Sequence, residues 1–150
     1  MNDFESTLNK VLVETFNLIL KYEEVSLKKV LDVPVTIAEA HMIEAVGSQE
    51  NKEATVSKIA SLLGIAMPTA TIAVKKLENK GFVKKVPSDK DGRCSIISLT
   101  TMGRRIEKIH HLFHEKMVRN MSSQFMDDEK ETLLVALKKL DEFFRERVEE

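Results

Sequence analysis

FVKKVPSDKDGRCSIISL, residues 82–99, decides the fold. Two runs rich in β-branched and apolar residues, FVKKV and CSIISL, flank PSDKDGR, which has the composition of a hairpin loop. What precedes this hairpin gives it meaning. Thr55 is placed to cap a helix through VSKIASLLG, in which Ile59, Ala60 and Leu63 share a face and Gly64 forms the C-cap. Pro68 suits the first turn of a second helix. Its apolar residues Met67, Ala70, Val74 and Leu77 fall on one side, and Gly81 ends it. Small Ala60, four residues before Gly64, lies where the two helices must approach closely. Alone, this pair fits any compact helical hairpin as well as a helix-turn-helix; a basic β-hairpin directly after it reads as a wing.

With Ala70, Val74 and Leu77 turned inward, Thr69, Thr71, Ile72, Lys75 and Lys76 face outward. They are the candidate contacts to double-stranded DNA in the major groove, where an exposed isoleucine meets thymine methyl groups. Arg93 at the hairpin tip reaches phosphate or the narrow minor groove, and Asp91, two residues away, braces its guanidinium. The charge distribution agrees. The chain's net charge is −1, yet residues 55–105 hold ten Lys or Arg against three acids, a balance of +7 that leaves −8 for the flanks. Such an asymmetry suits a middle that faces a polyanion.

A chain of 150 residues, 43% of them hydrophobic, is sized for a single domain with one core. The expected class is mainly α, with a small β wing making it locally α+β. The apolar stretches are short, and MNDFESTLNK has no basic leader region, so a soluble cytoplasmic protein with no membrane partner is expected. With no Trp and one Tyr, stacking on bases is not the main mode of recognition. Cys94, the sole cysteine, excludes an intrachain disulfide and a multi-thiolate metal site, and is expected to be a buried small residue. An enzyme is not expected: the chain has no glycine-rich phosphate loop, no Gly-x-Ser-x-Gly and no His-Glu-x-x-His.

The termini have a different character. From Phe4 to Tyr22, the residues Phe4, Leu8, Val11, Leu12, Phe16, Leu18, Ile19 and Tyr22 make a wider apolar stripe than one small core needs. A last helix opens on Asp127, Asp128 and Glu129 and carries Leu133, Leu134, Leu137, Leu140, Phe143, Phe144 and Val148. These segments are expected to build a homodimer interface, the alternative being that they cap the chain's own core. Residues 1–33 and 104–150 are thus assigned to dimerisation and 34–103 to the winged helix-turn-helix, with its wing hairpin at about 82–99.

LENKGFV at Leu77–Val83, Asp91-x-Arg93, Leu99-Thr100 and Gly103, in that order, resemble the signature of the multiple-antibiotic-resistance-regulator (MarR) family of bacterial repressors. The likeness covers roughly residues 35–110. Gly92 stands where the family often has a basic residue, and Cys94 where it prefers a β-branched one. YEEV at Tyr22–Val25, EAHMIEAVG at Glu39–Gly47 and HHLFHEKMV at His110–Val118 are similar to the fatty-acid-biosynthesis repressor subgroup. That resemblance implies repression of fatty-acid-synthesis genes, with long-chain acyl-acyl-carrier-protein as corepressor; the expected two-fold dimer would bind a pseudo-palindromic operator.

Two effector chemistries, then, compete for the same helices. An acyl chain needs an apolar channel, for which Ile19, Ile43, Ile109, Phe113 and Met117 are the candidates, and an acidic carrier protein needs a basic patch, placed at Lys28 and Lys29. Zinc needs imidazoles and a carboxylate. His110 and His114, four apart on one helix, with His41 and Glu23 would supply them, a set that resembles the ligands of zinc-sensing repressors in the same family. A MarR-type repressor released by a small aromatic ligand is the third alternative; no cofactor is required by the DNA-binding reading itself.

Overall fold

The computed structural model describes residues 1–88 and 94–149. It divides into two compact units, residues 1–113 and 114–150. Helix α1 (Asp3–Val30) opens the first, with Asn2 and Glu5 closing a capping box: the Glu5 N–H donates to Asn2 Oδ1 at 2.8 Å and the Asn2 N–H to Glu5 Oε2 at 2.9 Å. The helix outruns its apolar stripe, because its buried residues, Glu23 and Leu27, lie beyond Tyr22. Thr36 and Glu39 form the same reciprocal box at the start of α2 (Ile37–Gly47). A single turn, Glu50–Lys52, then leads into β1 (Glu53–Thr55), a strand with no counterpart in the sequence reading.

Thr55 leaves β1 and immediately caps α3 (Val56–Leu63), accepting the Lys58 N–H at 3.1 Å. Gly64 ends that helix at φ +62°, a left-handed conformation that costs a residue without Cβ nothing. After α4 (Met67–Asn79) come β2 (Val83–Pro87) and β3 (Ser95–Leu99), then α5 (Thr101–Ser122), in which the division between the two units falls. The antiparallel sheet has the order β1-β3-β2, so β3 is central. Ala54 and Lys85 both face Ile97, and Val83 faces Leu99. Buried Leu27, Ile43, Val46, Ile59, Val74, Leu77, Ile97, Leu99 and Ile106, with Ala54 and Val83, form one core that every strand and α-helix of this unit reaches.

The Leu99-Thr100-x-x-Gly103 segment is where the sheet hands over to α5. Thr100 caps that helix by accepting the Gly103 N–H at 3.1 Å, and its hydroxyl lies 2.6 Å from the Gly81 carbonyl oxygen and 3.0 Å from that of Phe82. The Thr100 N–H also donates to Phe82 O at 3.1 Å. A side chain at Gly103 would strike that same Phe82 oxygen, so glycine permits the crossing.

Two expectations need correction. Cys94 is exposed, not buried. It precedes β3 at the mouth of the hairpin, and only the inner half of the strand, from Ile97 to Leu99, reaches the core. Met67, placed on the apolar side of α4, is 48% exposed. It is the first residue of the helix, before the buried face begins at Ala70.

In the second unit, α6 (Asp127–Val148) begins where the Met126 N–H donates to Glu129 Oε2 at 2.8 Å. Its first-turn acids complement the helix dipole. Arg145 pairs with Asp141 at 2.7 Å, and Arg147 lies over the Phe143 ring at 3.5 Å. No residue of α6 is buried, and Leu134, Leu137, Phe143, Phe144 and Val148 are all exposed.

Candidate nucleic-acid interface and a buried histidine cluster

The axes of α3 and α4 turn through 111°, within the range of a helix-turn-helix. Ala60, buried at their contact, passes its carbonyl to the Ile65 N–H at 3.0 Å across the turn. Helix α4 then presents two faces. Ala70, Val74 and Leu77 are buried; Thr69, Thr71, Ile72, Lys75 and Lys76 are exposed. Thr71 donates its hydroxyl to the Met67 carbonyl at 3.0 Å. Ile72 is 61% exposed, on a helix that had a buried face available for it. Lys84 and Lys85 are also exposed, on β2. Asp91 and Arg93 lie outside the described residues.

Glu23 is the other focus of the first unit. It is almost wholly buried, and its Oε1 receives two imidazoles, His41 Nε2 at 3.0 Å and His110 Nε2. The His41 and His110 rings stand 5.5 Å apart. Burial pushes the Glu23 carboxyl up, but the hydrogen bond to His110 and the interactions with His41 outweigh it, and the carboxyl is held below its usual value of 4.5. One donor atom from each of Glu23, His41 and His110 lies within 4.8 Å of the others, so α1, α2 and α5 meet in a set with the chemistry of a zinc site. His114 is one turn further along α5, in the second unit. Sequence reasoning missed Glu44, whose Oε2 is 3.1 Å from His110 Nδ1. Its signal was the spacing of three from His41 on α2.

The apolar candidates are distributed differently. Ile43 is fully enclosed in the core, Ile109 packs against it, and Ile19 is exposed on α1. Phe113 meets Tyr22 with ring centroids 5.3 Å apart, and Met117 belongs to the second unit. Two open hollows, of about 610 and 570 Å³, flank α2, one beside the end of α1 and one against α3 and α4. Neither is lined by Ile19, Ile109 or Phe113. Of the two lysines assigned to a carrier protein, Lys28 pairs with Glu24 at 2.6 Å and Lys29 is exposed.

Among known proteins, residues 36–95 match the MarR family model. The chain resembles Streptococcus pneumoniae FabT, solved in complex with DNA, with a TM-score of 0.89 at 29% identity over 95% of this chain and 98% of that one. It is 39% identical over 72 residues to the HTH-type transcriptional regulator BilQ of Clostridium symbiosum, 47% of this chain and 49% of BilQ. Over 117 residues it is 27% identical to the transcriptional regulator ZitR of Lactococcus lactis subsp. cremoris, 76% of this chain and 79% of ZitR. The chain spans about half the length of several curated relatives it matches. No single helix among the described residues is long and apolar enough to cross a membrane.

Proposed function

We propose, from the match of residues 36–95 to the MarR family model, that the chain is a transcriptional repressor, not an enzyme, that binds a pseudo-palindromic operator as a cytoplasmic homodimer. The observation that carries this reading is the outward face of α4, where Ile72 stands exposed among two threonines and two lysines on a helix whose other face is locked into the core. Lysines there answer phosphate, while an aliphatic group and hydroxyls read base edges. A two-fold dimer places two such helices about 34 Å apart along one face of the duplex. The exposed apolar residues of α1 and α6 supply the surface such a dimer buries. Selection from a random duplex library by the purified protein tests the reading: enrichment of an inverted repeat with half-sites about one helical turn apart, or a multiple of it, is expected. Enrichment of no sequence would overturn it.

For the effector, we take a long acyl chain carried on acyl carrier protein as the corepressor, acting on fatty-acid-synthesis genes. The likeness to FabT along 95% of the chain supports it. Zinc is the second reading, supported by the convergence of Glu23, His41 and His110. These three residues would hold the ion and cross-link α1, α2 and α5, with His114 the fourth ligand nominated by the sequence. Operator affinity measured with acylated carrier, with zinc and with chelator separates them. The lipid reading expects acylated carrier to tighten binding, Phe113→Asp to abolish the gain, and the His110→Ala/His114→Ala variant to retain it. Tightening by stoichiometric zinc alone, lost in the double histidine variant, would replace it with metal sensing; release by a small aromatic ligand alone would replace both.

A further inference from the structure

Three observations converge on the turn between α2 and β1. First, Asn51 and Lys52 both adopt left-handed backbone conformations, at φ +57° and +58°. Asparagine tolerates that region, but a lysine lacks the short polar side chain that could hydrogen-bond its own backbone to compensate for it. Second, the Lys52 ammonium reaches across 55 residues of sequence to Glu107 Oε1 on α5, at 2.5 Å. Glu107 is largely shielded there, its side chain only 17% exposed. Third, the Glu107 carboxyl lies against the last residue of α2, Gly47, so closely that a methyl group at that position would overlap it. Glycine at the end of α2 therefore leaves the acid that holds the lysine in its present place, and a methyl group there would displace it.

Lys52 immediately precedes β1 and stands three residues before Thr55, the cap of α3. Where its backbone is fixed, the edge of the sheet and the start of the helix-turn-helix are fixed too. We propose that the Lys52–Glu107 ion pair, seated on Gly47, is a positioning tie that sets the placement of α3 and α4 on α5 and thereby operator affinity. Neither residue touches DNA in this role. The inference rests on the operator-binding reading, and the sign of one substitution separates it from simple electrostatics. Glu107→Gln removes a negative charge from a DNA-binding protein, so Coulomb attraction alone strengthens binding. The tie requires the opposite.

The test uses the full-length protein and a labelled duplex enriched from a random library by the wild type. Glu107→Gln and Lys52→Met are each expected to weaken binding about fivefold, in the range found for residues coupled to a site they do not contact. The double variant should bind no worse than either single one, because the two residues form one tie. Gly47→Ala, which displaces the Glu107 carboxyl without altering any charge, should reproduce the loss, and Lys52→Arg should largely restore it. Each variant should keep the dimer mass of the wild type. Glu107→Gln binding as tightly as wild type or tighter, or additive losses in the double variant, would overturn the tie. A Lys52→Met loss accompanied by a salt-dependence slope shallower by about one would make Lys52 a phosphate contact instead. A wild-type protein that enriches no duplex would instead remove the operator-binding reading, and the tie with it.

Discussion

Replacing Gly103 by alanine sets two effects of opposite sign against each other. On propensity alone the change favours α5, since alanine exceeds glycine by about 1 kcal/mol in a helix interior. Against it stands the Phe82 carbonyl oxygen, which the new methyl would overlap, with the Phe82 carbon at 3.2 Å and Leu99 Cδ2 at 3.4 Å behind it. That carbonyl has little freedom to retreat, because the Thr100 N–H holds it at 3.1 Å and the Thr100 hydroxyl lies 3.0 Å away. Shifting it weakens those contacts, at about 1 kcal/mol each, and the overpacking adds about 1 to 3 kcal/mol. Net destabilisation of about 2 to 4 kcal/mol follows once the propensity gain is deducted. For a chain of this size that lowers Tm by roughly 5 to 15 °C. Thermal unfolding followed by circular dichroism, at matched protein concentration because any self-association makes the midpoint depend on it, provides the measurement. A Gly103→Ala protein as stable as wild type would mean that the α5–sheet crossing relaxes freely, and the argument from closeness would fail.

Asn51→Ala should lower stability by about 1 kcal/mol, since alanine has no hydrogen bond to offset the left-handed backbone, while Asn51→Gly should match or exceed wild type; urea midpoints distinguish the two. Ile72→Ala should leave Tm nearly unchanged, because the side chain is exposed, yet alter the base preferences recovered by library selection more than the salt dependence of binding. Unfolding without a change of selectivity would return Ile72 to the core. Burial pushes the Glu39 carboxyl up, but the hydrogen bond from Lys80 and those from Thr36 hold it below 4.5. Its folded pKa is thus depressed, so its contribution is full above the ordinary carboxylate value and fades as pH falls through the folded one. Glu39→Gln should cost stability at neutral pH and lose progressively less as the medium is acidified below about 4, read from urea midpoints across that range.

What was legible in the sequence was local. The Thr55 and Gly64 caps of α3 and the two faces of α4 each depend on residues within a few positions of one another, and each stands where its spacing placed it. β1 escaped notice because three residues carry no alternation, and only pairing with β3 makes them a strand. The Lys52–Glu107 pair escaped because nothing in a charged pair 55 residues apart announces proximity. The histidine cluster falls between these cases. Residue chemistry nominated Glu23, His41 and His110, but their meeting depends on how α1, α2 and α5 pack, which no spacing within one helix encodes. Cys94 was misjudged by composition: small and sulfur-bearing suggests burial, yet position in the hairpin overrode it.

The sheet order also bears on how these molecules behave when crowded. With β3 in the middle, β2 is left at one margin, with a row of backbone donors and acceptors that no other described strand covers. Bare margins of this kind recruit strands from neighbouring copies and seed aggregates. Here the exposed residues along β2 are Lys84, Lys85 and Pro87. Two like charges repel an identical strand laid alongside, and proline withholds the N–H that would extend the ladder. Substituting those three by threonine or valine would leave the sheet's own register intact and turn its margin into a template for self-association in concentrated solution.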